Sequence, residues 1–308
     1  MRKFEGVARL DRRSLPWVPR AVRPGHLERA CGPRERVLRN AYPVTKWPEY
    51  LDGYHTAHPG ITETLLNRVR GAQSASPYAW LAAALPAAAL HGVDPARGAP
   101  PARLTVLDLG CGSAPLEPLL LAHQYVGLDR SAAELKGARL RARGPLVQAD
   151  ALALPLRTDS VDVVLAPMSL MLVQPVDVAL AELARVLHPG GMLAALLPNS
   201  HPVHAIDLLV AARMAFALRR GAAFPQRLRR RSLARLLTSA GFDVEQDRAQ
   251  RFALPIASIA DAELAVDGLY LPGLSTVRRA HAIEILGAHL GRVELPVPLR
   301  RVIARRTT

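Results

Sequence analysis

Cysteine is nearly absent from this chain: Cys31 and Cys111 are the two it has, far apart in sequence. That excludes a disulfide framework and a cysteine-built zinc site, and it suits a reducing cytoplasm. Lysine is almost missing too, with only Lys3, Lys46 and Lys136, so the formal charge of +14 rests on arginine. Aromatic residues make up 5% of the chain. No apolar run is long enough to span a bilayer: the longest, from Tyr78 to Leu90, is interrupted by Pro86. Met1–Glu5 opens no apolar signal region. These absences together predict a soluble cytoplasmic protein. What is plentiful is alanine and arginine. Half of the 308 residues are hydrophobic, enough for one large α/β domain with appendages or two small domains.

The run Val106-Leu107-Asp108-Leu109-Gly110-Cys111-Gly112-Ser113-Ala114-Pro115 carries the most information. An apolar strand leading into a Gly-rich turn and then a helix builds a ligand site at the carboxyl edge of a parallel sheet. The glycines permit a tight turn and a close backbone approach, with no Cβ in the way. A dinucleotide fingerprint would need a third glycine where Pro115 stands. Asp108, two residues before the first glycine, would repel a pyrophosphate and attract a cation. S-adenosylmethionine, with its ammonium and sulfonium, fits that pattern; NAD does not.

Two more predicted strands end in acids. Tyr125-Val126-Gly127-Leu128-Asp129 places its carboxylate 19 residues after Gly110, near the spacing at which a second-strand acid reaches ribose hydroxyls. Leu146-Val147-Gln148-Ala149-Asp150-Ala151 repeats the pattern. There Asp150 is placed to accept from an adenine exocyclic amine, and Ala151 to offer its backbone N–H to a ring nitrogen.

On these residues, with Val161–Leu165 as a fourth strand and Leu180–Leu193 as helix, turn and fifth strand, the chain resembles the class I S-adenosylmethionine-dependent methyltransferases. Within them it is most similar to the methyltransferase type 11 kind. The similarity is good over roughly residues 100–200 and loose elsewhere. It implies a Rossmann-like open α/β fold: a mostly parallel seven-stranded sheet with helices on both faces, here with an N-terminal helical cap. It also implies S-adenosyl-L-methionine as cofactor, contacted by Asp108, Gly110, Cys111, Gly112, Asp129, Arg130, Asp150, Ala151, Ala166 and Met168. Many members carry a third glycine where this chain has Ala114, from which a slightly tighter cofactor pocket is expected.

Along the chain, residues 1–45 are basic, without sustained periodicity, and are expected to be a poorly ordered arm. Residues 46–99 read as a helical cap ending in a Pro/Gly linker, with helices over Ile61–Arg70 and around Tyr78–Leu90. Residues 100–308 read as the methyltransferase domain. Its later parts are a sixth strand from Phe242, helices over Ile259–Val266 and Thr276–Leu290, and a last strand over Leu295–Ala304 that the family inserts antiparallel.

Methyl transfer from a sulfonium needs no acid on the leaving group, so alignment and water exclusion can carry much of the catalysis. A base is needed only when the acceptor must first lose a proton. The catalytic residue stays unassigned; His201 and His204, after the fifth strand, are the candidates for a base. The cap concentrates Trp47, Tyr50, Tyr54, Tyr78 and Trp80 around His55 and His58, and these rings are read as anchors of the cap on the core. Ala166-Pro167-Met168-Ser169 lacks the Asn/Asp-Pro-Pro-aromatic motif of enzymes that methylate exocyclic amines of nucleic acids.

The reading is therefore methyl transfer to a small-molecule substrate. Its rivals are an RNA methyltransferase of ribosomal or transfer RNA and a non-catalytic, cofactor-binding regulatory protein. Arginine-rich blocks motivate the first: one in residues 1–40, the other between Asp207 and Asp243, where no acid occurs. A solvated surface set by composition is the simpler expectation for both blocks. The missing fourth-strand acid motivates the second rival.

Overall fold

The computed structural model describes residues 46–72, 74–85, 103–199, 204, 206–219 and 221–307. The arm at 1–45 and the linker at 86–102 lie outside the described residues. The elements run α1 (Trp47–Ala57), α2 (Ile61–Arg68), β1 (Arg70–Gly71), α3 (Pro77–Ala82), β2 (Thr105–Leu109), β3 (Gln124–Asp129), α4 (Ala132–Leu140) and β4 (Leu146–Gln148). They continue as β5 (Val161–Pro167), α5 (Val176–Val186), β6 (Leu187–Pro198), α6 (Ile206–Leu218), α7 (Arg230–Ser239), β7 (Phe242–Pro255), α8 (Ile259–Asp267), α9 (Thr276–Gly287) and β8 (Glu294–Arg306).

The strands form one eight-stranded sheet in the order β1-β7-β8-β6-β5-β2-β3-β4. From β4 to β6 every pairing is parallel; β8 runs antiparallel between β6 and β7, and β1 antiparallel to β7. The class is the expected Rossmann-like one, with an eighth strand beyond the seven expected. That extra strand is only two residues long, too short to leave a periodic signal in the sequence. Its Gly71 is required by crowding, because a Cβ there would lie 2.7 Å from the Phe252 ring and the Gln250 amide.

Alternation along the strands divides the core in two. Val106, Val163, Leu165, Met192, Ala194 and Leu196 face one layer, which also holds Leu65 and Leu66 of α2, Leu81 of α3, and residues of α6, α8 and α9. Leu107, Leu109, Val164, Ala166, Leu193 and Ala195 face the other, built with α5 and α7. Cap helices α2 and α3 thus share a core with the sheet. The chain reverses direction across the sheet between β2 and β5, and at such a switch point the carboxyl ends of the strands open a crevice for ligands.

Two expectations fail locally. No α-helix follows the glycine turn: Pro115 and Pro118 lack the N–H groups a helix needs, and only a single 3₁₀ turn, Glu117–Leu119, forms. Ala114 does not narrow the pocket. It is fully buried in the first core layer, with φ +57°, so the missing glycine shows up as left-handed backbone in an alanine.

Candidate functional site: a cleft between the glycine turn and the cap

At the end of β2 the chain turns through Gly110 (φ +64°) and Gly112 (φ +54°). The Gly110 and Cys111 amides both donate to the Leu128 carbonyl, at 2.7 and 3.0 Å, tying the turn to β3. A Cβ on Gly110 would lie 2.5 Å from Cβ of Ser169, so this backbone fits only as glycine. Asp129 closes β3. Its Oδ2 accepts from the Gly112 amide at 2.8 Å and its Oδ1 from the Ser131 amide at 2.8 Å. Burial raises the Asp129 pKa, against the opposing pull of those two amides. The carboxylate is thus fixed, with lone pairs left over.

Around this turn lies a cleft of about 1190 Å³ counted out to open solvent. Gly110, Cys111, Gly112, Asp129, Arg130, Asp150, Ala151 and Met168 all line it, eight of the ten expected cofactor contacts. Asp108 and Ala166 do not. Ala166 points into the second core layer, and the neighbouring Pro167 lines the cleft in its place. Asp108 points into the layer beneath the turn, where it is fully buried, and its Oδ2 accepts from the Tyr125 hydroxyl at 2.8 Å. The expected direct attraction of a cation by Asp108 is therefore corrected to a carboxyl group under the turn. His204 is exposed and away from the cleft, and His201 lies outside the described residues.

Burial pushes the Asp108 pKa up to about 7; the Tyr125 hydrogen bond opposes the shift and the charge of Asp129 adds to it. The unfolded chain ionises this group near 3.8, so between those values the folded state holds the extra proton and stability falls as pH rises. The difference corresponds to about 4 kcal/mol, lost between about pH 4 and pH 7. Asp108→Asn is expected to flatten that slope and to be more stable than wild type at pH 8. Urea melts at pH 5 and pH 8 check this; equal slopes in both proteins would remove Asp108 as the source.

The far wall of the cleft comes from the cap and the segment after α8. Trp47, Leu51, Asp52 and His55 of α1, Thr62 and Glu63 of α2, Tyr78 of α3 and Tyr270 line it. Polar ties fasten the cap around the glycine turn. Asp52 pairs with Arg130 at 3.1 Å, an exposed pair of small net value. Buried Glu134 of α4 accepts from the Gly60 amide at 3.0 Å and meets Nδ1 of His55 at 3.0 Å. Buried Glu63 accepts from the Ser113 hydroxyl at 2.6 Å and from Arg143 at 2.8 Å.

Of the rings read as anchors, Tyr50, Tyr54 and Trp80 serve as such, while Trp47 and Tyr78 line the cleft. The Tyr54 hydroxyl donates to the Asp267 carbonyl at 2.7 Å, and the Tyr50 hydroxyl accepts from the Leu271 amide at 2.9 Å. Trp80 packs in the first core layer under the Arg301 guanidinium. Sequence reasoning missed Glu134, Tyr270 and Glu63, while Ser169, read with Met168 as lining the cofactor's reactive end, does line the cleft. Ser131-x-x-Glu134 does read as a helix start, and Ser131 Oγ caps the Glu134 amide at 3.3 Å, yet the glutamate side chain turns to the cap.

A parallel sheet with this strand order, a glycine turn at its switch point and a fixed acid at the end of the next strand define a class I S-adenosylmethionine-dependent methyltransferase domain. Residues 107–195 match the family described as methyltransferase domain.

Among proteins it resembles, malonyl-[acyl-carrier protein] O-methyltransferase of Methylococcus capsulatus is 39% identical over 105 residues, 32% of this chain and 38% of that protein. Trans-aconitate 2-methyltransferase of an Acidovorax species is 41% identical over 110 residues, 34% of this chain and 42% of that one. The 2-phytyl-1,4-naphtoquinone methyltransferase of Thermosynechococcus vestitus is 38% identical over 111 residues, 33% and 49% of the two chains. The match thus spans under half the length of each of these relatives.

S-adenosylmethionine is the cofactor of the class. The site suits it: Oγ of Ser169, in the cleft wall, is buried without a hydrogen-bond partner among the described residues, and the cradle at Gly110 leaves no room for a Cβ. Among the described residues, no helix is long and apolar enough to cross a membrane.

Proposed function

We propose that this chain transfers a methyl group from S-adenosylmethionine to a small-molecule acceptor within the cleft. The observation that carries the reading is continuity: one cleft runs from the glycine turn and Asp129 to the apolar and aromatic cap wall. In this reading Asp129 holds the ribose hydroxyls. Asp150 and the Ala151 amide hold the adenine, and Met168 and Ser169 flank the reactive end. When bound, the sulfonium supplies an electrophilic methyl whose leaving thioether needs no acid. The residues of this chain orient the acceptor and shut out water, and good alignment of reactants is worth about 7–11 kcal/mol. Residues 46–99 act as the cap and 100–308 as the transferase domain.

The arginines after α6 favour RNA only weakly. Arg230 is paired with Asp247 at 3.2 Å, and Arg235 donates along its own helix to the Arg231 carbonyl.

Calorimetry with S-adenosylmethionine, followed by transfer of labelled methyl to a metabolite panel and to total RNA, tests the reading. Saturable cofactor binding with transfer to metabolites is expected. Transfer confined to RNA, with retention that collapses steeply as salt rises, would favour the RNA alternative. Binding without any turnover would favour the regulatory one.

A further inference from the structure

We propose that His55, oriented by Glu134, is the base that accepts the proton of a neutral hydroxyl on the acceptor, so that the substrates are phenols and alcohols. This rests on the methyl-transfer reading above. His55 stands on α1 in the wall of the cleft, with its side chain 19% exposed. Its Nδ1 meets Oε1 of Glu134 at 3.0 Å, and the glutamate, 4% exposed, is itself held by the Gly60 amide. A carboxylate can only accept, so the imidazole proton sits on Nδ1 and Nε2 is left as a bare acceptor. A carboxylate that fixes the tautomer and stabilises the developing imidazolium is the arrangement that serves histidine bases elsewhere.

Nε2 faces the Tyr270 hydroxyl at 3.4 Å, longer than a good hydrogen bond and easily exchanged for a substrate hydroxyl. Burial raises the Tyr270 pKa, so this phenol keeps its proton and is not a rival base. The charged and titratable groups around His55 are Glu134 from α4, Asp129 at the end of β3, Tyr270, and Tyr54 on its own helix. The other acids of the cleft are committed: Asp52 to Arg130, Glu63 to Arg143 and Ser113, Asp129 to two backbone amides and Asp150 to the Leu152 amide.

The same acids argue against a carboxylate substrate. Asp52, Glu63, Asp129, Glu134 and Asp150 line the cleft, and the one arginine that lines it among the described residues, Arg130, is already paired. An ionised acceptor would meet like charge, whereas a neutral ring would meet Trp47, Leu51, Tyr78 and Leu172. The step balances. The acceptor oxygen gives its proton to Nε2 and forms the new C–O bond with the methyl carbon. The electron pair of the broken C–S bond stays on sulfur, and the positive charge ends on imidazolium.

The test uses the full chain loaded with S-adenosylhomocysteine and para-nitrophenol as a chromogenic probe, with S-adenosylhomocysteine affinity measured by calorimetry. Wild type is expected to raise the phenolate absorption band of the bound probe. His55→Gln should keep S-adenosylhomocysteine affinity within about twofold and lose that band. With S-adenosylmethionine, methyl transfer to a panel of phenols and alcohols should fall roughly 100-fold or more in His55→Gln, the range general-base catalysis supplies. Glu134→Gln should give a smaller loss with an altered pH profile, as a positioning residue would. If wild type does not bind S-adenosylhomocysteine, the methyl-transfer reading itself fails. If it binds, the base assignment is overturned by an ionisation and transfer rate indifferent to His55→Gln. Transfer to dicarboxylates while every phenol and alcohol stays untouched would overturn it equally.

Discussion

Gly110→Ala is expected to abolish measurable S-adenosylmethionine binding. The substitution forces a side chain onto a φ of +64° and drives its Cβ to 2.5 Å from Cβ of Ser169. Left-handed backbone costs a non-glycine residue about 1–2 kcal/mol, and the overpacking adds about 1–3 kcal/mol more. Either Ser169 and the end of β5 shift or the turn opens, and both deform the cradle. Ala114→Gly is the control. Its φ of +57° is also left-handed, but it lies in the core away from the cleft. Relief of backbone strain there offsets the extra freedom of glycine in the unfolded chain, so stability should change by less than about 1 kcal/mol and affinity should hold. Calorimetry and chemical denaturation on both variants separate the two effects. Unchanged affinity in Gly110→Ala would mean that the ligand does not approach this turn.

Asp129→Asn should weaken cofactor binding roughly 10- to 100-fold, because hydrogen bonds to a charged acceptor are worth about 1.5–3 kcal/mol. The structure adds a second consequence. Both carboxylate oxygens already hold backbone amides, from Gly112 and Ser131, and asparagine has one acceptor oxygen where aspartate has two. One of those amides loses its partner, so the turn loosens and some stability goes with it. Affinity and melting temperature should therefore fall together in this variant. A lowered melting temperature with affinity intact would reverse the assignment of Asp129 to the ligand.

What the sequence disclosed follows from local physics. Strands β2, β3 and β5 were legible because short apolar runs end in acid or Pro/Gly, and the acids mark the strand ends that face the cleft. Ala166 was misplaced by one residue, which on a strand means the opposite face. The helix expected after the glycine turn was undone by Pro115 and Pro118, a local signal that the family resemblance overrode. Glu134 and Tyr270 were not legible as site residues. Their contacts with His55 join positions 79 and 215 residues apart, and no local pattern encodes such a meeting. The cap aromatics were visible as a cluster and read as anchors; only the fold assigned Trp47 and Tyr78 to the cleft wall.

The position of β8 has a consequence for the making of the molecule. Residues 294–306 fill the gap between β6 and β7, bonding to both. Until the ribosome has delivered them, β6 and the 14 residues of β7 each present an unsatisfied edge, and β7 has only the two-residue β1 beside it. Such edges pair readily with other chains. A nascent polypeptide stalled before residue 294 should therefore hold its β2–β6 half folded, remain sticky along β6, and lean on chaperones until the last strand slots in.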